Sequence, residues 1–140
     1  MSKQDTIPKE SRQRIMKNLG EYGCYFLSLV HMAERITGKR IDAVEVFVRV
    51  LEKKWVDEEA TLLDPASVLG YMTGLNFTVR KDSEQYLPRQ NEYEILQFVN
   101  GSYTHFVVGD GKGYVSYDPL GNSRTVAQGK CMGKRIFTQM

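Results

Sequence analysis

The sequence predicts an α+β fold in which helices come first and an antiparallel sheet follows. Apolar residues recur at helical spacing through the first half of the chain, up to about residue 74. From residue 76 onward the apolar residues fall in short alternating or β-branched runs that are separated by turn residues. Helices followed by strands, rather than alternating with them, are typical of the α+β class.

Length and composition are those of one globular domain. The chain has 140 residues, of which 41% are hydrophobic and 26% charged, and these are ordinary values for a folded protein. We therefore predict a single domain over residues 1–140, with residues 1–10 as a flexible tail. The net charge of +2 is too small to indicate nucleic acid as a partner. The two cysteines are far apart and form no disulfide framework or zinc motif, so we predict no metal and no cofactor.

The beginning of the sequence is polar and lacks the apolar core of a signal peptide. No apolar run approaches the ~20 residues that a membrane-spanning helix needs. These observations predict a cytoplasmic protein without a membrane span, although a signal-independent route of export would leave no trace in the sequence. Nothing in the sequence indicates the oligomeric state.

Four helices are predicted in the first half of the chain. They run over residues 11–18, 23–36, 42–54 and 64–74. Asp42 is the predicted N-cap of the third helix, and Glu45 stands where a capping box has its acidic residue. The fourth helix begins with Pro65 at its first position, which is where proline fits best, and ends at Gly74.

Six strands are predicted in the second half. They run over residues 76–80, 94–99, 103–108, 114–117, 123–126 and 135–138. Residues 110–113, Asp-Gly-Lys-Gly, predict the loop of a β-hairpin. A four-residue loop would pair Phe106 with Tyr117 and would place His105 directly opposite Asp118.

Cys24 follows a glycine and begins an apolar run of helical length, so we expect it on the first turn of a helix. Unpaired backbone N–H groups and the positive end of the helix dipole favour a thiolate there. A thiolate is a good nucleophile, and the same N–H groups can hold a developing oxyanion. The alternative is that Cys24 is a small buried apolar residue, as most free cysteines are.

His105 and Asp118 complete a possible catalytic set. Residues that lie opposite each other on paired strands have Cβ atoms ~5 Å apart, which lets a carboxylate orient an imidazole. His105 would accept the proton of Cys24 and later protonate the leaving amine, while Asp118 would hold the ring. The alternatives are a purely structural histidine and an aspartate that only starts the turn before Pro119.

The segments GEYGCYFLSL and THFVVGDGKGYVSYDPLG, in this order, resemble papain-like cysteine peptidases. The likeness is to the compact bacterial group that includes the peptidase domains of bacteriocin-processing transporters, and to a small bacterial or phage-encoded family of this fold. It covers roughly residues 18–122, although only the short motifs are specific. The resemblance implies a papain-like fold and a thiol hydrolase that forms a thioester acyl-enzyme. It also implies a peptide or peptidoglycan-like substrate.

The sequence departs from this family at one position. Papain-like enzymes usually have a glutamine six residues before the cysteine, and its amide lines the oxyanion hole. Here that residue is Asn18, whose amide has the same donors on a shorter stem, so the resemblance implies that Asn18 takes this role. Loss of such a donor typically lowers the rate ~10²–10³-fold. Alternatively, Asn18 ends the preceding helix. Glu21 is nearer, but a carboxylate would repel an oxyanion, so we assign it no role.

Two other chemically capable residues receive no catalytic role. His31 is seven residues after Cys24, ~10 Å along a helix, which is too far for a base. Cys131 lies in a predicted glycine-rich, basic loop. Two other functions remain open: an acyl transferase, since transglutaminase-like enzymes have the same order of residues, and a catalytically silent binding module.

Overall fold

The computed structural model describes residues 7–121 and 123–140. The helices in these residues are α1 (Lys9–Tyr22), α2 (Cys24–Thr37), α3 (Ala43–Glu52), α4 (Pro65–Thr73) and α5 (Arg124–Gln128). The strands are β1 (Phe77–Asp82), β2 (Glu92–Asn100), β3 (Tyr103–Gly109), β4 (Val115–Tyr117) and β5 (Lys130–Gln139). Four helices precede a five-stranded antiparallel sheet, which confirms the predicted α+β class.

The strands are ordered β1-β5-β2-β3-β4 across the sheet, so the last strand of the chain is inserted between β1 and β2. Successive residues of a strand point to opposite faces. One face contributes Ile95, Val108 and Phe137 to the main core, where they join buried residues of α2 such as Phe26 and Leu29. The sheet is therefore covered by the helix that begins at Cys24.

Local helix signals are confirmed at α3 and α4. The Asp42 carboxylate accepts from the N–H groups of Val44 and Glu45, at 3.1 and 3.3 Å. Pro65 is the first residue of α4, and Gly74 ends the helix with a φ of 74°. Both signals depend on residues within one turn of the helix end, which is why the sequence alone predicts them.

The predicted N-terminal tail is partly wrong. Residues 1–6 lie outside the described residues, but Lys9 and Glu10 form the first turn of α1. The predicted helix over residues 11–18 is therefore too short at both ends. No helix in the ranges that the structure describes is long and apolar enough to cross a lipid bilayer.

The predicted strand over residues 123–126 is also wrong, because this segment begins a helix. The Ser123 hydroxyl accepts from the N–H of Val126 at 3.1 Å, which makes Ser123 the N-cap of α5. Cys131 is not in a loop either. It belongs to β5 and pairs with Phe98, next to an irregularity in the β2–β5 ladder.

The hairpin register differs from the predicted one. Val108 pairs with Tyr117, and a bulge separates this pair from Gly109 and Val115. The carboxylate of Asp110 accepts from the N–H groups of Lys112 and Tyr114, at 2.7 and 3.1 Å, and this turn sets the position of the return strand. Relative to the predicted pairing, the partner of Val108 is shifted by two residues and that of Gly109 by one, and the bulge absorbs the difference.

A buried ion pair holds the hairpin loop. Lys134 Nζ lies 2.6 Å from Glu94 Oε1, and the two side chains are 1% and 0% exposed. Lys134 also donates to the carbonyl of Tyr86 at 2.7 Å. The other oxygen of Glu94 accepts from the N–H groups of Gly111 and Gly113, at 2.8 and 3.1 Å. The ion pair thus joins β2 and β5 to the hairpin that leads into Asp118.

A single residue, Gly23, separates α1 from α2. Its N–H donates to the carbonyl of Leu19 at 2.9 Å, and its own carbonyl accepts from Leu27 at 2.8 Å. A Cβ atom on Gly23 would lie 2.8 Å from the Leu19 carbonyl oxygen, so glycine is needed for this close approach. The junction makes Cys24 the first residue of α2.

Candidate active site

A cavity of about 180 Å³ lies where the end of α1 and the start of α2 meet β3. Cys24 and His105 both line it, although 81 residues separate them in the sequence. The other lining residues are Leu19, Gly20, Glu21, Leu27, Tyr103, Thr104, Pro119, Leu120 and Thr125. The helical half and the sheet half of the chain therefore both contribute to this cavity.

The Cys24 thiol has a lowered pKa. Burial would by itself raise this pKa, but it is outweighed by the hydrogen bond and charge of His105 and by backbone hydrogen bonds from Phe106 and Tyr25. Cys24 is also at the N-terminus of α2, where unpaired N–H groups favour a negative charge. The thiol is therefore set to ionise more readily than a free cysteine.

His105 forms a short hydrogen bond to Asp118. Its Nε2 lies 2.6 Å from Oδ1 of Asp118, and the two side chains are only 5% and 6% exposed. Burial lowers the pKa of His105, but hydrogen bonds with Cys24 and Asp118 more than offset it, so the pKa is raised overall. The lowered pKa of Cys24 and the raised pKa of His105 both favour a protonated imidazole beside a thiolate.

Asp118 is in turn fixed by the turn that follows β4. Its Oδ1 accepts from the N–H of Leu120 at 2.9 Å, and its Oδ2 accepts from the N–H of Ser123 at 3.2 Å. The expected contact between His105 and Asp118 is present even though the expected strand register is not. Asp118 reaches the ring from a turn rather than from a paired strand.

The two ring nitrogens of His105 have different partners. Because Nε2 faces Asp118, the nitrogen left for Cys24 is Nδ1. This assignment is the reverse of the Ser-His-Asp arrangement, in which the carboxylate holds Nδ1 and the nucleophile faces Nε2. It leaves Nδ1 as the atom that can exchange a proton with the sulfur or with a leaving group.

Asn18 is not brought to this cavity. Its amide nitrogen donates to the backbone carbonyl of Glu58 at 3.0 Å, and Asn18 is not one of the lining residues. The oxyanion role that the family resemblance implied for Asn18 is therefore not supported, and neither is the alternative that it ends the helix, since α1 continues to Tyr22. Cys24 is the first residue of α2, so its N–H is one of the N–H groups that have no acceptor within the helix.

The other residues considered from the sequence lie elsewhere. His31 stacks on Tyr117 with ring centroids 3.9 Å apart, and Cys131 Sγ contacts the carbonyl of Gly133 at 3.5 Å. In the described ranges no three side chains among His, Cys, Asp and Glu gather closely enough to hold a metal ion. Sequence reasoning left Glu21 without a role, although it lines the cavity three residues before Cys24.

Comparison with known proteins assigns the chain to a family. A family model described as "Protein of unknown function, DUF261" matches residues 7–139. No curated protein and no solved structure matches the chain. The family description assigns no activity.

Proposed function

Since the chain belongs to the DUF261 family, we propose its function from the geometry of the site: a cysteine peptidase or amidase with a papain-like fold. Cys24 is the nucleophile, His105 the general acid and base, and Asp118 the residue that orients the imidazole. The observation that carries this proposal is that His105 bonds to Asp118 and lines one cavity with Cys24, where it lowers the pKa of the thiol.

In the first half of the reaction, the thiolate of Cys24 attacks the carbonyl carbon of the substrate amide and a C–S bond forms. The oxyanion is held by the N–H of Cys24 at the start of α2. Protonated His105 gives the proton on Nδ1 to the amide nitrogen, the C–N bond breaks, and an amine leaves. The product on the enzyme is a thioester.

In the second half, neutral His105 accepts a proton from water, and the resulting hydroxide attacks the thioester carbon. The C–S bond then breaks, the carboxylic acid leaves, and the thiolate and the imidazolium are restored. Asp118 stays ionised throughout and stabilises the imidazolium, as the carboxylate of a serine-protease triad does. The cycle consumes one water and needs no redox partner.

The papain-like fold is supported by the relative positions of the elements. A largely buried helix has the cysteine at its first position, and an antiparallel sheet packed on that helix supplies the histidine and the aspartate in this order. Cys24 and Asp118 are each held by backbone N–H groups, and His105 is held by its bond to Asp118. This arrangement favours a chemical role over a chance contact of three side chains.

A binding module without catalysis is the second candidate, and the position of Asn18 favours it. Because the Asn18 amide is bonded to Glu58, the oxyanion would lack the side-chain donor that papain-like enzymes usually have. Loss of one such donor typically lowers the rate ~10²–10³-fold. An acyl transferase would use the same thioester, with an amine in place of water.

Cleavage of a mixed peptide library tests the proposal. The library would be incubated with the wild type, with Cys24→Ala and with Cys131→Ser, and new termini would be identified by mass spectrometry. We expect the same new termini from the wild type and from Cys131→Ser, and none from Cys24→Ala. Added glycine amide distinguishes hydrolysis from acyl transfer to an amine. A hydrolase would leave a free carboxylate at the new C-terminus, whereas a transferase would attach the glycine amide there.

Termini that also appear with Cys24→Ala would come from a contaminant or from another site, and would refute the proposal. The complete absence of cleavage, together with a Cys24 that alkylates no faster than Cys131, would instead favour the binding module.

A further inference from the structure

Glu21 is an unpaired carboxylate at the cavity. It belongs to the last turn of α1 and lines the cavity together with Cys24. Among the described residues it makes no hydrogen bond and no ion pair, not even with Lys17 one helical turn earlier. Lys17 does not line the cavity. The charge of Glu21 is therefore available to a molecule that enters the site.

The negative charge of Glu21 is at an unfavourable position when no substrate is bound. The C-terminal end of a helix carries a partial negative charge, and the last turn of α1 has no basic residue to offset it. The nucleophile in the same cavity is itself negative when ionised. A carboxylate here gains nothing from its own helix, whereas a positive charge brought by a substrate would be stabilised.

The cavity also has exposed apolar walls. Tyr103, at the start of β3, is 72% exposed, and Leu120, in the turn after β4, is 55% exposed. Such surfaces pack against the aliphatic stem of a lysine or arginine, and the face of a tyrosine ring attracts the cation itself. Apolar walls beside a single carboxylate fit a long basic side chain better than a purely apolar or an acidic one.

Building on the proposed peptidase function, we infer that the site selects peptides with a lysine or arginine at the bond that is cleaved. The stem of this side chain lies against Tyr103 and Leu120, and its charged end pairs with Glu21. A cavity of about 180 Å³ is smaller than the ~300–1,000 Å³ of a typical small-molecule site. It therefore has room for one such side chain, on the residue that is attacked or on its immediate neighbour.

Matched covalent probes test this inference in the Cys131→Ser protein. The probes are chloromethyl ketones of acetyl-Phe-Lys, acetyl-Phe-Gln and acetyl-Phe-Glu, together with acetyl-Lys-Phe and acetyl-Gln-Phe. The Cys24 sulfur bonds to the methylene carbon, chloride leaves, and the intact mass reports the rate. Of the two lysine probes, we expect the one whose lysine reaches Glu21 to react about five- to tenfold faster than its glutamine counterpart. This is the size of effect expected from a surface ion pair together with a cation–π contact.

The variants attribute the preference to Glu21. E21Q should lower the difference between the lysine and glutamine probes to the part that the Tyr103 ring supplies, and E21K should favour the glutamate probe. Added salt should weaken the preference in the unsubstituted protein. The matched control is E10Q, which removes a carboxylate at the other end of α1, away from the cavity, and should retain the full preference.

Two negative results have different meanings. Equal rates for lysine and glutamine probes at a reactive Cys24, or a lysine preference that E21Q leaves undiminished, would overturn the inference and leave the proposed function standing. If no probe reacts faster with the protein that retains His105 than with the His105→Ala variant, both the proposed function and the inference are refuted.

Discussion

The Ser28 hydroxyl donates a hydrogen bond to the backbone carbonyl of Phe106, with the two oxygens 3.2 Å apart. Ser28 is one helical turn after Cys24, so the two side chains share a face of α2. Phe106 is next to His105, and its N–H bonds to the Cys24 sulfur. One strand residue therefore bonds to two side chains of α2 and fixes the distance between nucleophile and base.

We expect Ser28→Ala to lower both the stability and the reactivity of Cys24. The substitution leaves the Phe106 carbonyl without its partner, which costs about 1–3 kcal/mol of unfolding free energy for a buried group. Urea unfolding and the rate of alkylation by iodoacetamide would measure the two effects. Ser102→Ala is the control, since Ser102 is exposed. An unchanged stability in Ser28→Ala would mean that the bond contributes little.

The alkylation of Cys24 should depend on pH in a way that reveals the ion pair. The pKa of Cys24 is lowered and that of His105 is raised, and both shifts favour a thiolate–imidazolium pair. In the Cys131→Ser protein we expect fast alkylation well below pH ~8.5, the range in which a free cysteine ionises. His105→Ala should move the profile to higher pH, because burial of the thiol is then opposed only by the backbone hydrogen bonds from Phe106 and Tyr25. A profile that does not respond to His105→Ala would contradict the pair.

Asp118→Asn should narrow the pH range in which the protein cleaves peptides, by moving its alkaline limit to lower pH. Asparagine can still accept from Nε2, but it no longer stabilises the charge of the imidazolium, so the raised pKa of His105 should fall. A fall of one unit corresponds to about 1.4 kcal/mol. The pH profile of peptide cleavage would show the alkaline limb at lower pH and the acid limb nearly unchanged. Loss of activity at all pH values alike would instead indicate a structural role for Asp118.

Lys134→Met should be among the most destabilising substitutions in the sheet. It leaves the Glu94 carboxylate buried without its cation, which typically costs 3–5 kcal/mol. The control is Lys81→Met, at an exposed position of β1. Glu94→Gln combined with Lys134→Met removes the stranded charge and should recover part of the lost stability in urea unfolding. A double variant less stable than Lys134→Met alone would contradict this explanation.

Tyr25→Phe should leave the protein as stable as the wild type or slightly more stable. The Tyr25 hydroxyl is buried and has no hydrogen-bond partner among the described residues, and burial raises its pKa. Removing an unsatisfied polar atom gains up to about 1 kcal/mol. Tyr25→Leu is the comparison, because it also loses the stacking on Phe106 at 4.6 Å. A clear loss of stability in Tyr25→Phe would point to a bound water at the hydroxyl.

The sequence predicts those parts of the fold that depend on neighbouring residues. Asp42 caps α3 through N–H groups two and three residues away. Cys24 is at a helix start because a glycine precedes an apolar run. In the same way, Gly74 ends α4. Each of these signals lies within one helical turn, so no knowledge of the tertiary structure is needed to detect it.

The errors concern contacts between distant residues and one short segment. The hairpin register depends on the Asp110 turn and on Glu94, which bonds to Gly111 from a different strand. The Asn18 side chain bonds to the backbone carbonyl of Glu58, forty residues later, and does not line the cavity. The five residues of α5 are too few for a periodicity to appear. Spacing alone carries no information about such partners.

The single-residue junction at Gly23 fixes the helical phase of Cys24. One inserted residue between α1 and α2, if added to α2, would rotate the thiol by about 100° and move it about 1.5 Å along the axis. The sulfur would then point away from His105, and the hydrophobic face of α2 would no longer face the sheet. Insertions in the exposed turn between β2 and β3 have no such effect. The length of the chain between Leu19 and Cys24 is therefore part of the site, as much as the side chains are.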